Sequence, residues 1–143
     1  MPHIHSNRKS FRLLNKFIKD LSFEVPEAPN SFFDERLISV SVQLNIQVSQ
    51  LEKEVFLVQF TIEVVGSRDD DKVFSLFVEQ CGIFEIIANS HKEEEYVLYV
   101  DCPGILYPYV CALVRTITAD GGVPPLNLEY VDFAEMYKQK KMN

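Results

Sequence analysis

The chain has 143 residues, of which 47% are hydrophobic and 24% charged, and its formal net charge at pH 7 is −7. This length and composition are typical of one soluble globular domain with a core of its own. The longest uncharged apolar run, 102–114, contains two prolines and is shorter than the roughly 20 residues of a membrane span, so we expect no membrane insertion.

Charge is distributed unevenly along the chain. Residues 1–19 contain five basic residues and no acidic one, and three more lysines stand near the C-terminus. All 21 acidic residues lie between Asp20 and Glu135, where there are only six basic residues. An acidic body of this kind repels nucleic acids and anionic membranes and attracts a basic partner. We therefore expect no nucleic-acid partner.

Residues 1–16 are interpreted as a variable basic N-terminal tail. Because apolar residues are interleaved with the basic ones, an organellar transit peptide is the alternative for this segment. His3 and His5 form an isolated HxH pair with no third ligand in sight, so we expect no metal site. No apolar secretory stretch follows the basic residues, which favours a protein that stays in the compartment where it is made.

Three cysteines, Cys81, Cys102 and Cys111, are an odd number without a CxxC pair. The count argues against a disulfide framework and against a zinc knuckle. Cysteine is among the residue types that are most often buried. We interpret all three as buried free thiols in a reducing cytoplasm.

An antiparallel meander is predicted for the middle of the chain. The connection 26–36 contains two prolines, and its length favours a crossover over a hairpin. Strict alternation over 38–49 predicts a strand with one apolar face, and 55–65 and 73–80 are predicted to follow as strands after turns at 50–54 and 66–71.

Some apolar residues of these strands lie opposite the main apolar set: Val55, Leu57, Val65, Val73 and Phe77. A monomer would expose them, because one sheet face is enough to bury the domain's own helix. We therefore expect a second subunit or a bound ligand on that face.

A long apolar helix is predicted from Pro103 to the glycine pair at 121–122. Its many β-branched residues leave a strand over 109–118 as the alternative. The proline-rich segment 123–128 is expected to run extended across the surface. Asp132 is predicted to cap a short second helix, with Glu135 completing a capping box.

No catalytic or nucleotide-binding motif is present in the sequence. His91 lies within 91–95, which is predicted to begin a solvated helix. The three aspartates at 69–71 occupy a predicted turn, where solvent-exposed residues are commoner than an acid/base pair. We expect a protein that is not an enzyme and that needs no cofactor.

Three blocks of sequence carry a family resemblance. CPGILYPY, a helix, a GG pair and VPPLNLEYVDFAEMY resemble the C-terminal half of SecB, the export chaperone of Gram-negative bacteria. KDLSFEVPEAP resembles the family's first strand, and QCGIF matches its QxGIF. The resemblance covers 17–138 and leaves 139–143 as a short basic tail. It implies an α+β fold in which a long and a short C-terminal helix pack on a four-stranded antiparallel sheet, assembled as a homotetramer, a dimer of dimers.

The function that the resemblance implies is a holdase. Such a chaperone binds unfolded secretory precursors in the cytoplasm and hands them to the SecA motor ATPase. Aromatic and aliphatic side chains would line the substrate groove: Phe32, Phe33, Ile83, Phe84, Tyr107 and Tyr109. The alternatives are that the two phenylalanines at 32–33 only pin a loop, and that Ile83 and Tyr109 belong to the core.

Asp20 and Glu24 match acids of the family's first strand that bind SecA, and Glu79 is expected near them. The match is incomplete, because Ser75 and Phe77 stand where a Leu and a Glu are expected.

Arg36 replaces a usual tryptophan, and Cys111 replaces an arginine. The missing tryptophan and the missing last-strand acid leave open a SecB-like chaperone dedicated to one client, such as a toxin-antitoxin pair. A third alternative is an unrelated, monomeric sheet domain that binds a small apolar ligand.

Overall fold

The computed structural model describes residues 10–142, so the interpretation of the first nine residues, including His3 and His5, lies outside the described residues. The sheet has four strands: β1 (Ser10–Glu24), β2 (Ser39–Glu52), β3 (Val55–Arg68) and β4 (Asp71–Ile87). The helical segments are a 3-10 turn (Asn30–Phe33), α1 (His91–Tyr96), a π-helical segment (Val97–Asp101), α2 (Cys102–Asp120) and α3 (Phe133–Met142).

All strand pairs are antiparallel, and the strand order is β1-β4-β3-β2. The predicted meander of β2, β3 and β4 is confirmed. Because β1 and β2 lie at opposite edges, the connection between them crosses the end of the whole sheet, which confirms the predicted crossover. The hairpin turns use Glu54 and Asp69 with positive φ values of 64° and 56°.

Both outer boundaries of the predicted domain are wrong. β1 begins at Ser10 and not near residue 17, because Phe11 and Leu13 pack on the core opposite Ile86 and Phe84 of β4. Residues 139–142 belong to α3 and not to a tail. The last turn of α3 is held by Lys141, whose Nζ lies 2.9 Å from Glu95 Oε1.

The core lies between the inner face of the sheet and the continuous helix α1–α2. Residues of β3 and β4 alternate in burial, and every second side chain of β3 is covered: Phe56, Val58, Phe60, Ile62 and Val64. Three helix residues, Leu106, Val110 and Val114, are fully buried against them. The β-branched residues thus pack as one face of a helix, so the strand alternative for 109–118 is wrong.

The solvated helix predicted to begin at 91–95 starts at His91, where the Glu93 amide donates to Ser90 Oγ at 3.1 Å, and it is continuous with the helix predicted from Pro103. The continuous helix His91–Asp120 has 30 residues, and by length and composition alone it could cross a membrane. Its fully buried residues pack on the sheet, however, as those of a core helix in a sheet domain do.

The outer face of the sheet carries fewer spare apolar residues than expected. Leu57, Val65 and Phe77 are half-buried there, whereas Val73 is buried in the core. The register of β3 and β4 shifts between Gly66 and Ser67, close to this position. The shift explains why simple alternation placed Val73 on the wrong face.

Candidate functional site

An apolar groove runs between the edge strand β2 and the extended segment 123–131. Its middle part has a volume of about 420 Å³. Val40, Val42 and Leu44 line one side, Tyr107 of α2 contributes to the lining, and the other side is formed by residues of the segment: Leu126, Asn127, Leu128, Glu129, Tyr130 and Val131. Two parallel apolar walls of this kind suit an extended polypeptide.

The groove continues at both ends. Toward the crossover connection, a cavity of about 360 Å³ shares Val40 and Leu126 with the middle part and is also lined by Leu37 and Ile38. Toward α3, a smaller cavity of about 160 Å³ begins at Leu44. The lined surface therefore follows the first half of β2, from Val40 to Ile46.

Three side chains of α2 hold the extended segment in place. Pro124 and Pro125 cannot donate backbone hydrogen bonds, so the segment depends on contacts from elsewhere. The Leu126 amide donates to Thr118 Oγ1 at 2.9 Å. One to three turns earlier on the helix, Arg115 Nη1 donates to Asn127 Oδ1 at 2.9 Å, and Tyr107 Oη donates to the Glu129 carbonyl at 2.6 Å. The wall of the groove is thus fixed at three successive points.

Of the six predicted groove residues, Tyr107 lines the groove. Its ring stacks on Phe60 at 5.8 Å and contacts the edge of Phe133 at 5.5 Å. Burial raises the pKa of Tyr107 to about 12, so the hydroxyl stays protonated and remains a donor at neutral pH.

The prediction for Phe84 is wrong, because this side chain is completely buried in the core. Ile83 points to the outer face, opposite Leu57 of β3, and so cannot line the groove. The QCGIF motif lies in β4, where adjacent residues point to opposite faces. Residues 83–84 of β4 lie two strands away from the β2 edge and do not line the groove, whereas Phe74 of the same strand lines its end near the crossover connection.

Phe32, Phe33 and Tyr109 are exposed but do not line the groove. Phe33 is 81% exposed on the crossover connection. Tyr109 lies on α2 with Lys16 Nζ 4.3 Å from its ring centroid. Client contacts by these three residues stay a prediction.

Sequence reasoning missed the groove residues of β2 and of the extended segment. Val40, Val42 and Leu44 were assigned only to an apolar strand face. The signal that was overlooked is that 39–51 contains no charged residue, although edge strands are usually protected by charge. Recognising it required the strand order, which the sequence pattern alone leaves open.

The outer face of the sheet carries a cluster of carboxylates at the β1–β4 pair. Asp20 lies directly opposite Glu79, Glu24 lies opposite Ser75, and Phe77 lies between them on the same face. Gln59 Nε2 donates to Glu79 Oε2 at 2.7 Å. Asp20 and Glu24 therefore share one surface with Glu79, as expected from the sequence.

A bulge in β1 produces this arrangement. The register shifts between Ile18 and Asp20, so that Lys19 has no partner and the alternation restarts. Before the shift, the odd-numbered Phe17 faces outward, opposite Cys81. After the shift, the even-numbered residues face outward: Asp20, Ser22 and Glu24. Without the bulge both acids would point toward the helix layer.

The described residues contain no group of His, Cys, Asp or Glu that could hold a metal ion. Cys81 and Cys102 are buried and Cys111 is half-buried. Burial raises the pKa of all three thiols, which keeps them protonated at neutral pH. This chemistry does not favour a thiolate nucleophile.

The family model described as preprotein translocase subunit SecB matches residues 5–143. The chain belongs to the SecB family. Among curated relatives, the protein-export protein SecB of Mesorhizobium japonicum is 32% identical over 132 residues, which cover 92% of this chain and 79% of the relative. The SecB of Orientia tsutsugamushi is 35% identical over 123 residues, covering 85% and 77%.

The SecB of Buchnera aphidicola is 31% identical over 130 residues, covering 91% of this chain and 92% of the relative. A SecB-like chaperone of Mycobacterium tuberculosis, solved in complex with a ChAD peptide from an antitoxin, superposes with a TM-score of 0.70. It is 16% identical and covers 85% of this chain and 90% of its own, so it supports the fold. The chain is thus a chaperone of protein export, and the predicted SecB-like fold is confirmed.

Proposed function

We propose that this chain is a holdase that binds unfolded secretory precursors in the groove beside β2 and hands them to the SecA motor ATPase. The groove carries the proposal. It offers an open apolar surface along a strand whose edge is uncharged over 39–51, and it is lined mainly by aliphatic and aromatic side chains. Such a surface accepts extended apolar segments without reading a particular sequence, and it needs no nucleotide.

The first test is fluorescence anisotropy of a labelled, unfolded periplasmic precursor titrated with this protein, beside the same precursor already folded. We expect binding to the unfolded form alone. The double substitution Val40→Ser with Val42→Ser should weaken binding, because both side chains line the groove and are 43% and 41% exposed. Leu51→Ser is the matched control, since Leu51 lies on the same strand, is 52% exposed and does not line the groove.

Equal effects of the groove and control substitutions would refute the assignment of the groove. Failure of the wild-type protein to bind unfolded precursors in general would favour a chaperone dedicated to one client. Two departures from the family pattern motivate this alternative: Arg36 stands in place of a tryptophan, and Ser75 and Phe77 stand where a Leu and a Glu are expected.

For SecA we propose docking on the carboxylates of the outer face. Asp20 and Glu24 are supported by Glu79, and Glu63 lies opposite Phe77, so negative charge surrounds the position where the expected acid is absent. Asp20→Lys with Glu24→Lys should weaken binding to the basic tail of the motor and leave client binding intact. The control is Asp120→Lys with Glu52→Lys, which makes the same change in charge at exposed positions elsewhere. An equal loss of affinity for the motor in both double variants would indicate only a general charge effect.

We also propose a homotetramer, built as a dimer of dimers. β1 is an edge strand with large exposed apolar side chains: Leu14, Phe17, Ile18 and Leu21. Exposed apolar residues along an edge strand support its burial against another subunit. Native mass spectrometry should give four copies, and a monomer would contradict the proposal.

The compartment that goes with this function is the cytoplasm of a Gram-negative bacterium. The free thiols of Cys81 and Cys102 support a reducing environment, because both are buried and protonated. Fractionation of the native host, with detection in the cytoplasmic fraction, would test it.

A further inference from the structure

A cluster of charged side chains fixes the crossover connection between β1 and β2. It lies at the end of the groove that Leu37 and Ile38 line, which we call the open end. Arg36 Nη2 donates to Asp34 Oδ2 at 2.8 Å, and Arg36 Nε lies 3.1 Å from both oxygens of the same carboxylate. Arg36 also binds two residues that are distant in the sequence: Nη1 donates to Asp69 Oδ2 at 2.8 Å, and Nη2 donates to Asp71 Oδ2 at 3.1 Å. One guanidinium thus joins the crossover connection to the turn between β3 and β4.

A second arginine holds the backbone of the same connection. Arg68, the buried last residue of β3, donates from Nε to the Arg36 carbonyl at 2.7 Å and from Nη1 to the Ser31 carbonyl at 3.0 Å. Arg68 therefore anchors the connection from inside, and the Arg36 cluster anchors it at the surface.

The cluster stands between two cavities. Asp34, Arg36 and Arg68 line the end of the apolar groove, and the same three residues line a polar cavity of about 480 Å³ on the other side. The neighbouring groove residue Leu37 is 92% exposed, so apolar packing does little to hold it. The position of this part of the groove wall, around Leu37, therefore depends on the charged cluster.

We propose that Arg36 is the positioning residue for the open end of the groove. Held by Asp34, Asp69 and Asp71, it fixes the crossover connection so that Leu37 and Ile38 face the bound segment. This inference rests on the proposed function of the groove, since it assigns the residue that shapes one end of it. Asp34 stays ionised at neutral pH, because its hydrogen bonds from Arg36 lower its pKa to about 2.

A positioning device made of exposed ions is sensitive to salt. The Arg36, Asp69 and Asp71 side chains are 47%, 82% and 73% exposed. Raising the ionic strength from about 0.01 M to about 1 M shortens the Debye length from about 30 Å to about 3 Å and screens such pairs. The open end of the groove is therefore ordered at low salt and looser at high salt.

The test uses a fluorescent, unfolded apolar peptide of zero net charge, so that salt does not act on the ligand itself. In Arg36→Gln the ordered state falls to between about a third and a tenth of the population, and the apparent affinity falls about threefold to tenfold. The loss of affinity with salt that the wild type shows should disappear in this variant. Arg36→Lys should retain part of the salt dependence, because it keeps the charge without the bidentate geometry.

Arg12→Gln is the control of equal charge, because Arg12 forms its ion pair with Glu85 on the outer face at 2.9 Å. Asp69→Asn with Asp71→Asn provides a second test that leaves the Arg36 side chain in place. Unchanged affinity and unchanged salt dependence in both cluster variants would overturn the proposal.

Hydrogen exchange of the amides 31–38 without any client gives an independent readout. Exchange should accelerate in Arg36→Gln, and in the wild type at high salt. If the wild type fails to bind the peptide, the proposed function fails, while exchange still decides whether the cluster orders the connection. Slow exchange in every variant would show that Arg68 alone suffices.

Discussion

Phe84→Ala separates a core role from a groove role for this residue. The side chain is fully buried and lies opposite Phe56 of β3 and Leu13 of β1. Replacing a buried phenylalanine by alanine costs about 3–5 kcal/mol, through lost burial and the cavity left behind. The next inward-facing residue of β4 is Gly82, which has no side chain to fill that cavity, so we expect a loss in the upper part of the range.

Urea unfolding followed by circular dichroism measures the effect. With a slope of about 2 kcal/mol/M, the midpoint should fall by about 2 M. Protein concentration must be held constant, because assembly would add to the apparent stability. Phe33→Ala is the control, since that exposed side chain should change the free energy of unfolding by no more than about 0.5 kcal/mol. An unchanged midpoint for Phe84→Ala, together with weakened client binding at a temperature where it is folded, would refute the reasoning.

Three further substitutions probe the sheet and the groove wall. Gly66→Ala should destabilise the fold by about 1–3 kcal/mol in urea unfolding, because its Cβ would lie 2.2 Å from the ring of buried Phe74; no change would mean that the ring moves freely. Thr118→Val removes the acceptor of the Leu126 amide and should cost about 1–3 kcal/mol, with faster proteolysis of 123–131; unchanged proteolysis would contradict it. Between pH 10 and about pH 12 only the unfolded state of the wild type releases the Tyr107 phenol proton, so the free energy of unfolding falls as the pH rises. Tyr107→Phe should make this fall less steep, and an unchanged slope of the free energy against pH would contradict the raised pKa.

The sequence was sufficient for the elements whose patterns are local. Alternation over 38–49 and 55–65 predicted β2 and β3, and Gly121 marked the end of α2 within a residue. The helix start at 91–95 and the apolar helix from Pro103 were predicted separately, and their continuity was missed because Pro103 was interpreted as the first turn of a new helix. Phe11 and Leu13 were assigned to the N-terminal tail because basic residues dominate that segment: Arg8, Lys9, Arg12 and Lys16.

The site was harder to predict than the fold because it depends on pairing between distant strands. Ile83 and Phe84 were assigned to the groove by motif, but the face of a strand residue follows from register, and its distance from the groove follows from strand order. The assignment of Asp20 and Glu24 to the same surface as Glu79 was correct. That pairing depends on an unpaired Lys19, a feature that composition and periodicity do not reveal.

Strand order also sets how the two proposed sites relate. The carboxylates lie on the outer face at the β1–β4 pair, whereas the groove follows β2 at the other edge, three strand spacings or about 14 Å away. If both proposals hold, the motor and the client occupy different surfaces of one subunit, and we expect that both can be bound at once. We then expect release of the client to involve a change in the groove wall itself. The crossover connection is the part of that wall whose position depends on exposed ions, so Arg36→Gln should accelerate client dissociation even without the motor, as a stopped-flow chase with unlabelled peptide would measure. An unchanged dissociation rate would place the release step at the segment 123–131, which α2 holds.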